Sequence, residues 1–204
     1  MASAPTQAHS PQILEVAREY IKPGAVQAIH RIEVDAAQIC IRLKFPHRYL
    51  VLESLTGPKE FWYLNGFASQ ADLDAVAGEY AGNEALISAL AENLTRKAPY
   101  LAAKSTDVFL KYRPVLSGGT PWLMGHGRFL VTAWTKGSAG MAGTVFEAPD
   151  GNRLVIRSAR TRADAKSIAA AVVGARVFAI HPELGWPDDE WVTADPQFWR
   201  VRQK

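Results

Sequence analysis

The chain has 204 residues, 48% of them apolar and 21% charged, with a net charge of +3. That is enough apolar matter for one large core or two small ones. Basic and acidic residues are interleaved, and the densest basic stretch, Arg153 to Lys166, also carries Asp164, so the clustered basic stripe of a nucleic-acid-binding protein is missing. The only cysteine, Cys40, excludes an intrachain disulfide and a cysteine-based zinc site, and no apolar run reaches the ~20 residues of a membrane helix.

Residues 1–12, MASAPTQAHSPQ, lack a basic segment followed by an apolar one and read as a disordered lead. With the lone cysteine this predicts a cytoplasmic protein, although an export signal removed from ahead of the chain would leave no trace. Ile13 to Tyr20 alternates as a strand. Pro23-Gly24 breaks it, and Val26, Ile29, Ile32, Ala36, Cys40 and Leu43 then recur at helical spacing, predicting a helix from Ala25 to Leu43 that Pro46 terminates. Tyr49 to Leu55 is a strand, Thr56-Gly57-Pro58-Lys59 a turn, and Phe61 to Asn65 the hairpin partner.

The stretch EFWYLNGFAS, residues 60–69, allows two readings. A strand covered on both faces is continuously apolar, which would put Trp62 and Leu64 on one face and Phe61, Tyr63 and Asn65 on the other. A ligand-stacking platform is the alternative. Ser69 stands three residues before Asp72, the spacing of a helix-start box. Helix follows over Gln70 to Tyr80, resumes after the cap Asn83 to Leu94 or beyond, and gives way near Pro99. Val108 to Tyr112 is a strand.

Ser117-Gly118-Gly119-Thr120-Pro121 has the chemistry of a connector. Beyond it come a strand over Arg128 to Trp134, a loop over Lys136 to Gly143, and two strands, Thr144 to Ala148 and Arg153 to Ser158, flanking the turn Pro149-Asp150-Gly151-Asn152. Thr161, again three residues before an Asp, opens a helix over Ala163 to Val173. Ala175 to His181 is the last strand, and the tail carries Trp186, Trp191, Phe198 and Trp199.

The first part thus runs strand–helix–strand–strand–helix–strand, the ferredoxin-like order, and the second repeats it without its first helix. ILEVAREYIKPGAVQAIHRIE, residues 13–33, resembles the opening of dimeric α+β barrel proteins, and EFWYLNGFASQADLDAV, residues 60–76, resembles their third strand and helix entry, with Phe67, Ser69 and Leu73 at the patterned positions. The likeness to this antibiotic biosynthesis monooxygenase-like superfamily covers about Ile13 to Pro114. It implies an α+β fold of two tandem ferredoxin-like halves forming one barrel, with a ligand pocket between a sheet and its helices. The expected divisions are 1–12 lead, 13–116 first half, 117–127 connector, 128–182 reduced second half and 183–204 a tail packed on the body.

Such proteins include cofactor-free oxygenases of aromatic substrates, haem-degrading enzymes and haem enzymes of the chlorite dismutase type, and fold alone does not choose among them. The haem-degrading pattern fails here: the first strand has no Asn, Phe67 stands where a Trp would be, and no histidine lies between His47 and His126. A chlorite-dismutase-like haem would need His126 or His181 as its ligand. No nucleophile elbow, phosphate loop or dinucleotide fingerprint is present.

The reading that results is a small-ligand-binding protein taking an apolar or aromatic molecule, with a cofactor-free oxygenase as alternative and haem binding below it. No cofactor, metal, nucleic-acid or membrane partner is assigned, and oligomerisation is left open. Glu33 falls inside the apolar stripe of the first helix, with His30 one turn earlier on its edge, so Glu33 either faces the sheet as a candidate base or sits at a solvated rim. Arg18 on the adjoining strand is a candidate partner. Arg18, Trp62, Tyr63 and Phe67 are the candidate ligand contacts.

Overall fold

The computed structural model describes residues 10–199 apart from 121, 123 and 139. Residues 1–9 of the lead, Pro121 of the connector and residues 200–204 of the tail lie outside them. Eight strands close into a barrel: β1 (Ile13–Tyr20), β2 (Leu50–Ser54), β3 (Glu60–Phe67), β4 (Thr106–Tyr112), β5 (Phe129–Thr135), β6 (Thr144–Glu147), β7 (Arg153–Ala159) and β8 (Arg176–Ile180). Around the barrel the order is β1-β3-β2-β8-β5-β7-β6-β4, and every pairing is antiparallel. Each half contributes four neighbouring strands in the ferredoxin-like arrangement, so the chain is its own pseudo-dimer. Short seams join the halves. Leu52–Ser54 of β2 meet Phe178–Ile180 of β8, and Lys111–Tyr112 of β4 meet Phe146–Glu147 of β6.

Helices α1 (Val26–Arg42), α2 (Gln70–Ala81) and α3 (Glu84–Lys97) belong to the first half. The second half has only α5 (Arg162–Ala170) outside its strands, because β5 and β6 are joined by a loop. The connector holds the short α4 (Pro114–Ser117), and the tail α6 (Asp189–Ala194) and α7 (Pro196–Trp199). Capping fixes several of these starts. Ser69 Oγ accepts from Asp72 N at 3.1 Å and the Asp72 carboxylate accepts in return from Ala68 N at 2.8 Å. Asn83 and Thr161 accept from Leu86 N and Asp164 N, each at 3.1 Å.

Strand alternation divides the core into layers. Leu14, Val16, Leu52, Trp62, Leu110 and Phe178 are among the side chains filling the barrel. Ile29 and Cys40 of α1 pack on Val51 and Phe61 in the outer layer of the first half, and Ala165 of α5 packs on Val131 and Val177 in that of the second. The aromatic run is therefore a two-sided strand, not a stacking platform. Trp62 and Leu64 face the barrel, Phe61 and Tyr63 face α1, and Asn65 donates outside it to Glu15 at 2.9 Å.

One end of the barrel is plugged by charge. Glu60, 1% exposed, receives Arg18 at 3.0 Å, Arg176 at 2.8 Å and the Trp62 indole N–H at 2.5 Å. Burial pushes its carboxyl up, but the Trp62 hydrogen bond and the Arg176 and Arg18 guanidiniums outweigh that and hold it below its usual range. The other end is open, and the connector and tail fold over it. Trp199 is buried there, its indole donating to Gly125 O at 2.9 Å. Among the described residues no helix is long and apolar enough to cross a membrane.

Candidate functional site

The open end forms a cleft of about 500 Å³, within the range of small-molecule pockets. Its floor is Leu14, Leu50 and Leu64, the last side chains of the barrel interior. Trp122 and Met124 of the connector and Trp191 of α6 wall it. Polar groups come from the turns, with His47 and Arg48 between α1 and β2, Asp72 in the first turn of α2 and Asp188 just ahead of α6, and from Ser10 and Gln12 before β1. Gly125 allows the close wall, since a Cβ there would stand 2.0 Å from the Trp191 ring.

His47 is the chemical feature of this cleft. Its ring stacks on Phe67 with centroids 4.4 Å apart and planes 11° from parallel. Burial holds the imidazole below its usual range, against the pull of Asp72 and a backbone hydrogen bond to Gly66, so the ring is neutral at neutral pH. Its buried Nε2 has no hydrogen-bond partner among the described residues. Burial also raises the Asp188 carboxyl; Arg48 opposes this, and Glu190 and Asp189 reinforce it. The guanidinium of Arg48 lies 4.0 Å above the Trp186 ring and 3.6 Å from Asp189.

The residues singled out in the sequence are placed elsewhere. Glu33 is 2% exposed and faces the sheet. Its partner is Lys97 of α3, at 2.9 Å, and not Arg18. Alternation along β1 puts Arg18 on the barrel face and Glu19 on the helix face, and Glu19 takes the same Lys97 at 2.6 Å. Tyr63 donates to Glu19 at 2.9 Å. Burial pushes the Glu33 carboxyl up, with Lys97 opposing. His30 lies apart from this network. Its Nε2 meets Glu53 at 3.1 Å. Trp62 is fully buried, with the Arg18 guanidinium 5.1 Å from its ring. Of the six candidates only Phe67 touches the cleft, through His47.

Sequence reading passed over His47, Arg48 and Asp188 because each is a single polar residue in a turn. The signal available was Pro46-His47-Arg48 directly before an apolar strand, a turn that points its side chains at the end of a sheet.

No protein-family model and no curated protein matches the sequence. Among solved structures, a candidate monooxygenase from Fusobacterium nucleatum subsp. nucleatum is similar with a TM-score of 0.50 at 6% identity, covering 85% of this chain and 93% of that one. A candidate monooxygenase from Lactobacillus acidophilus has a TM-score of 0.47 at 8% identity, covering 85% and 94%. A candidate antibiotic biosynthesis monooxygenase from Caulobacter crescentus covers 50% of this chain and 90% of its own, at 19% identity and a TM-score of 0.37. The chain shares its α+β barrel fold with the first of these, with two ferredoxin-like repeats in one polypeptide, and an identity this low speaks to fold alone.

Proposed function

We propose that the protein binds a small, flat apolar or aromatic molecule carrying one hydroxyl or other acidic proton, in the cleft at the open end of the barrel. The observation that carries this reading is the unpartnered Nε2 of His47 in a cleft whose floor is leucine and whose walls include Trp122, Met124 and Trp191. A buried acceptor left without a donor costs on the order of 1–3 kcal/mol, and a ligand hydroxyl donating to it recovers much of that. The apolar walls supply the remaining affinity. Titration of 1-naphthol, followed by quenching of the Trp122 and Trp191 fluorescence, tests it. His47→Leu keeps the volume and removes the acceptor, and should weaken binding about tenfold, equivalent to ~1.4 kcal/mol. Saturable binding that is unaffected by His47→Leu, or no binding by any member of a panel of phenols, would sink the proposal.

The neutral His47 also favours a second reading, cofactor-free oxygenation in the same cleft. His47 takes the acidic proton, and the resulting anion reduces dioxygen. One oxygen atom forms a new C–O bond with the oxidised substrate carbon, and the other leaves as water with two substrate protons. Oxygen uptake by the purified protein with an electron-rich phenol separates this reading from simple binding.

A further inference from the structure

A second cluster lies on the other side of the sheet, outside the cleft. His30 of α1 and His181, one residue beyond β8, meet edge to face with ring centroids 4.6 Å apart. The Nε2 atoms of both stand 3.1 Å from the same oxygen of Glu53 on β2. The other ring nitrogen of His181, Nδ1, lies 3.3 Å from Glu183. One ligand atom each of His30, His181 and Glu183 falls within 4.8 Å of the others, and the group is half-buried.

His181 meets a carboxylate at each ring nitrogen. Its Nε2 is buried and makes no well-aligned hydrogen bond although the Glu53 oxygen is at contact distance. One ring nitrogen each of two histidines with a carboxylate oxygen beside them is a donor set for a divalent metal. The geometry points to a transition-metal site formed by His30, His181 and Glu183, and best suited to zinc.

The dimensions support this. Zinc takes imidazole nitrogen and carboxylate oxygen at ~2.0–2.2 Å in tetrahedral sites, which sets its ligand atoms roughly 3.4 Å apart. The donor atoms of His30, His181 and Glu183 already lie within 4.8 Å of one another, so an ion would draw them in by at most about 1.4 Å. Imidazole donors favour zinc and its transition-metal neighbours over magnesium or calcium. Glu53, 3.1 Å from both histidine Nε2 atoms and itself held by Lys59 Nζ at 2.6 Å, would orient the imidazoles from outside the site. The ligands come from α1 and from the segment after β8, so the ion would tie the first half of the chain to the second.

The test uses the whole untagged protein, stripped with a chelator and then titrated with cobalt(II) or zinc(II) alone. One equivalent of cobalt should bind with the visible absorption of a tetrahedral nitrogen–oxygen site, zinc should displace it, and the melting temperature should rise with the ion. His30→Ala together with His181→Ala should lower affinity by on the order of a hundredfold or more. Should that variant fail to fold, the near-isosteric Glu183→Gln should still weaken binding about tenfold and perturb the cobalt spectrum. Absence of stoichiometric uptake by the unaltered protein overturns the site and leaves the cluster as a polar clip. Uptake that survives both variants unchanged overturns it equally, because the ion then binds elsewhere.

Discussion

Replacing Lys97 by Met isolates the energetics of the buried charges between sheet and helix. In the intact protein one ammonium serves two carboxylates, Glu19 at 2.6 Å and Glu33 at 2.9 Å, with Tyr63 Oη at 3.4 Å completing the group. Glu33 is 2% and Glu19 7% exposed. Methionine fits the aliphatic volume but leaves both carboxylates without their cation. Removing one partner of a buried ion pair costs about 3–5 kcal/mol. For a chain of this size each kcal/mol moves the melting temperature by roughly 2–4 °C, so Lys97→Met should lower it by about 6–20 °C.

The pH dependence has a definite sign. Burial raises the folded-state pKa of Glu33 above its unfolded value, so its contribution to stability is fully present below the unfolded pKa and is lost as pH rises through the folded one. Without Lys97 the raising is larger. The deficit of the variant should therefore be greatest near neutrality and shrink on mild acidification, as Glu33 takes up a proton. Guanidinium denaturation at both pH values, with the single variants Lys97→Met and Glu33→Gln and the double variant, reads the coupling directly. A neutral-pH deficit below about 1 kcal/mol, or a deficit that grows with acidity, would refute the reasoning.

Gly185→Ala should disrupt the bridge between Tyr49 and Trp186: its Cβ would stand 2.7 Å from Tyr49 O and 3.3 Å from Val51 N, both backbone atoms. A loss of about 1–3 kcal/mol and faster hydrogen exchange at Tyr49 and Trp186 are expected. Ser69→Ala removes the acceptor at the start of α2 and should cost ~1 kcal/mol by denaturant unfolding, with no effect on the cleft's ligand affinity, because the donor it loses is the backbone N–H of Asp72 and His47 keeps the proposed contact.

What the sequence discloses about this protein follows from how local each feature is. The strand over Ile13 to Tyr20, the split between α2 and α3 at Asn83, and the cap at Ser69 each depend on neighbours within a few positions, and the structure has all three. The burial of Glu33 follows from helix geometry, since Ile29, Glu33, Ala36 and Cys40 share the buried stripe. Its partner does not, because Lys97 is supplied by another helix whose rotation the sequence leaves open. Arg18 shows the same limit from the other side: its strand is legible, but a one-residue change of face decides between Glu33 and Glu60. His30 and His181 are illegible as a pair, each being a lone histidine until the closing seam brings β8 beside β2.

Fusion of the two halves gives the molecule its single sites. A barrel built from two identical chains would present the same residues twice, related by the twofold axis. Here α1 has no counterpart in the second half, so His30 and Glu33 occur once, and the β5–β6 loop stands where the matching helix would be. The barrel ends differ for the same reason. Arg18 and Arg176 both converge on Glu60 at one end, while the other end is left for the connector and tail to roof with Trp122, Trp191 and Trp199. Among the described residues the roof is tied by polar contacts that include Trp199 to Gly125 O at 2.9 Å, Arg128 to Asp195 at 3.1 Å and Arg48 to Asp189 at 3.6 Å. Segments outside the closed strand ladder open at lower free-energy cost than strands within it. A ligand entering beneath Trp191 would therefore need only the tail to move, leaving the eight strands and the seam between the halves undisturbed.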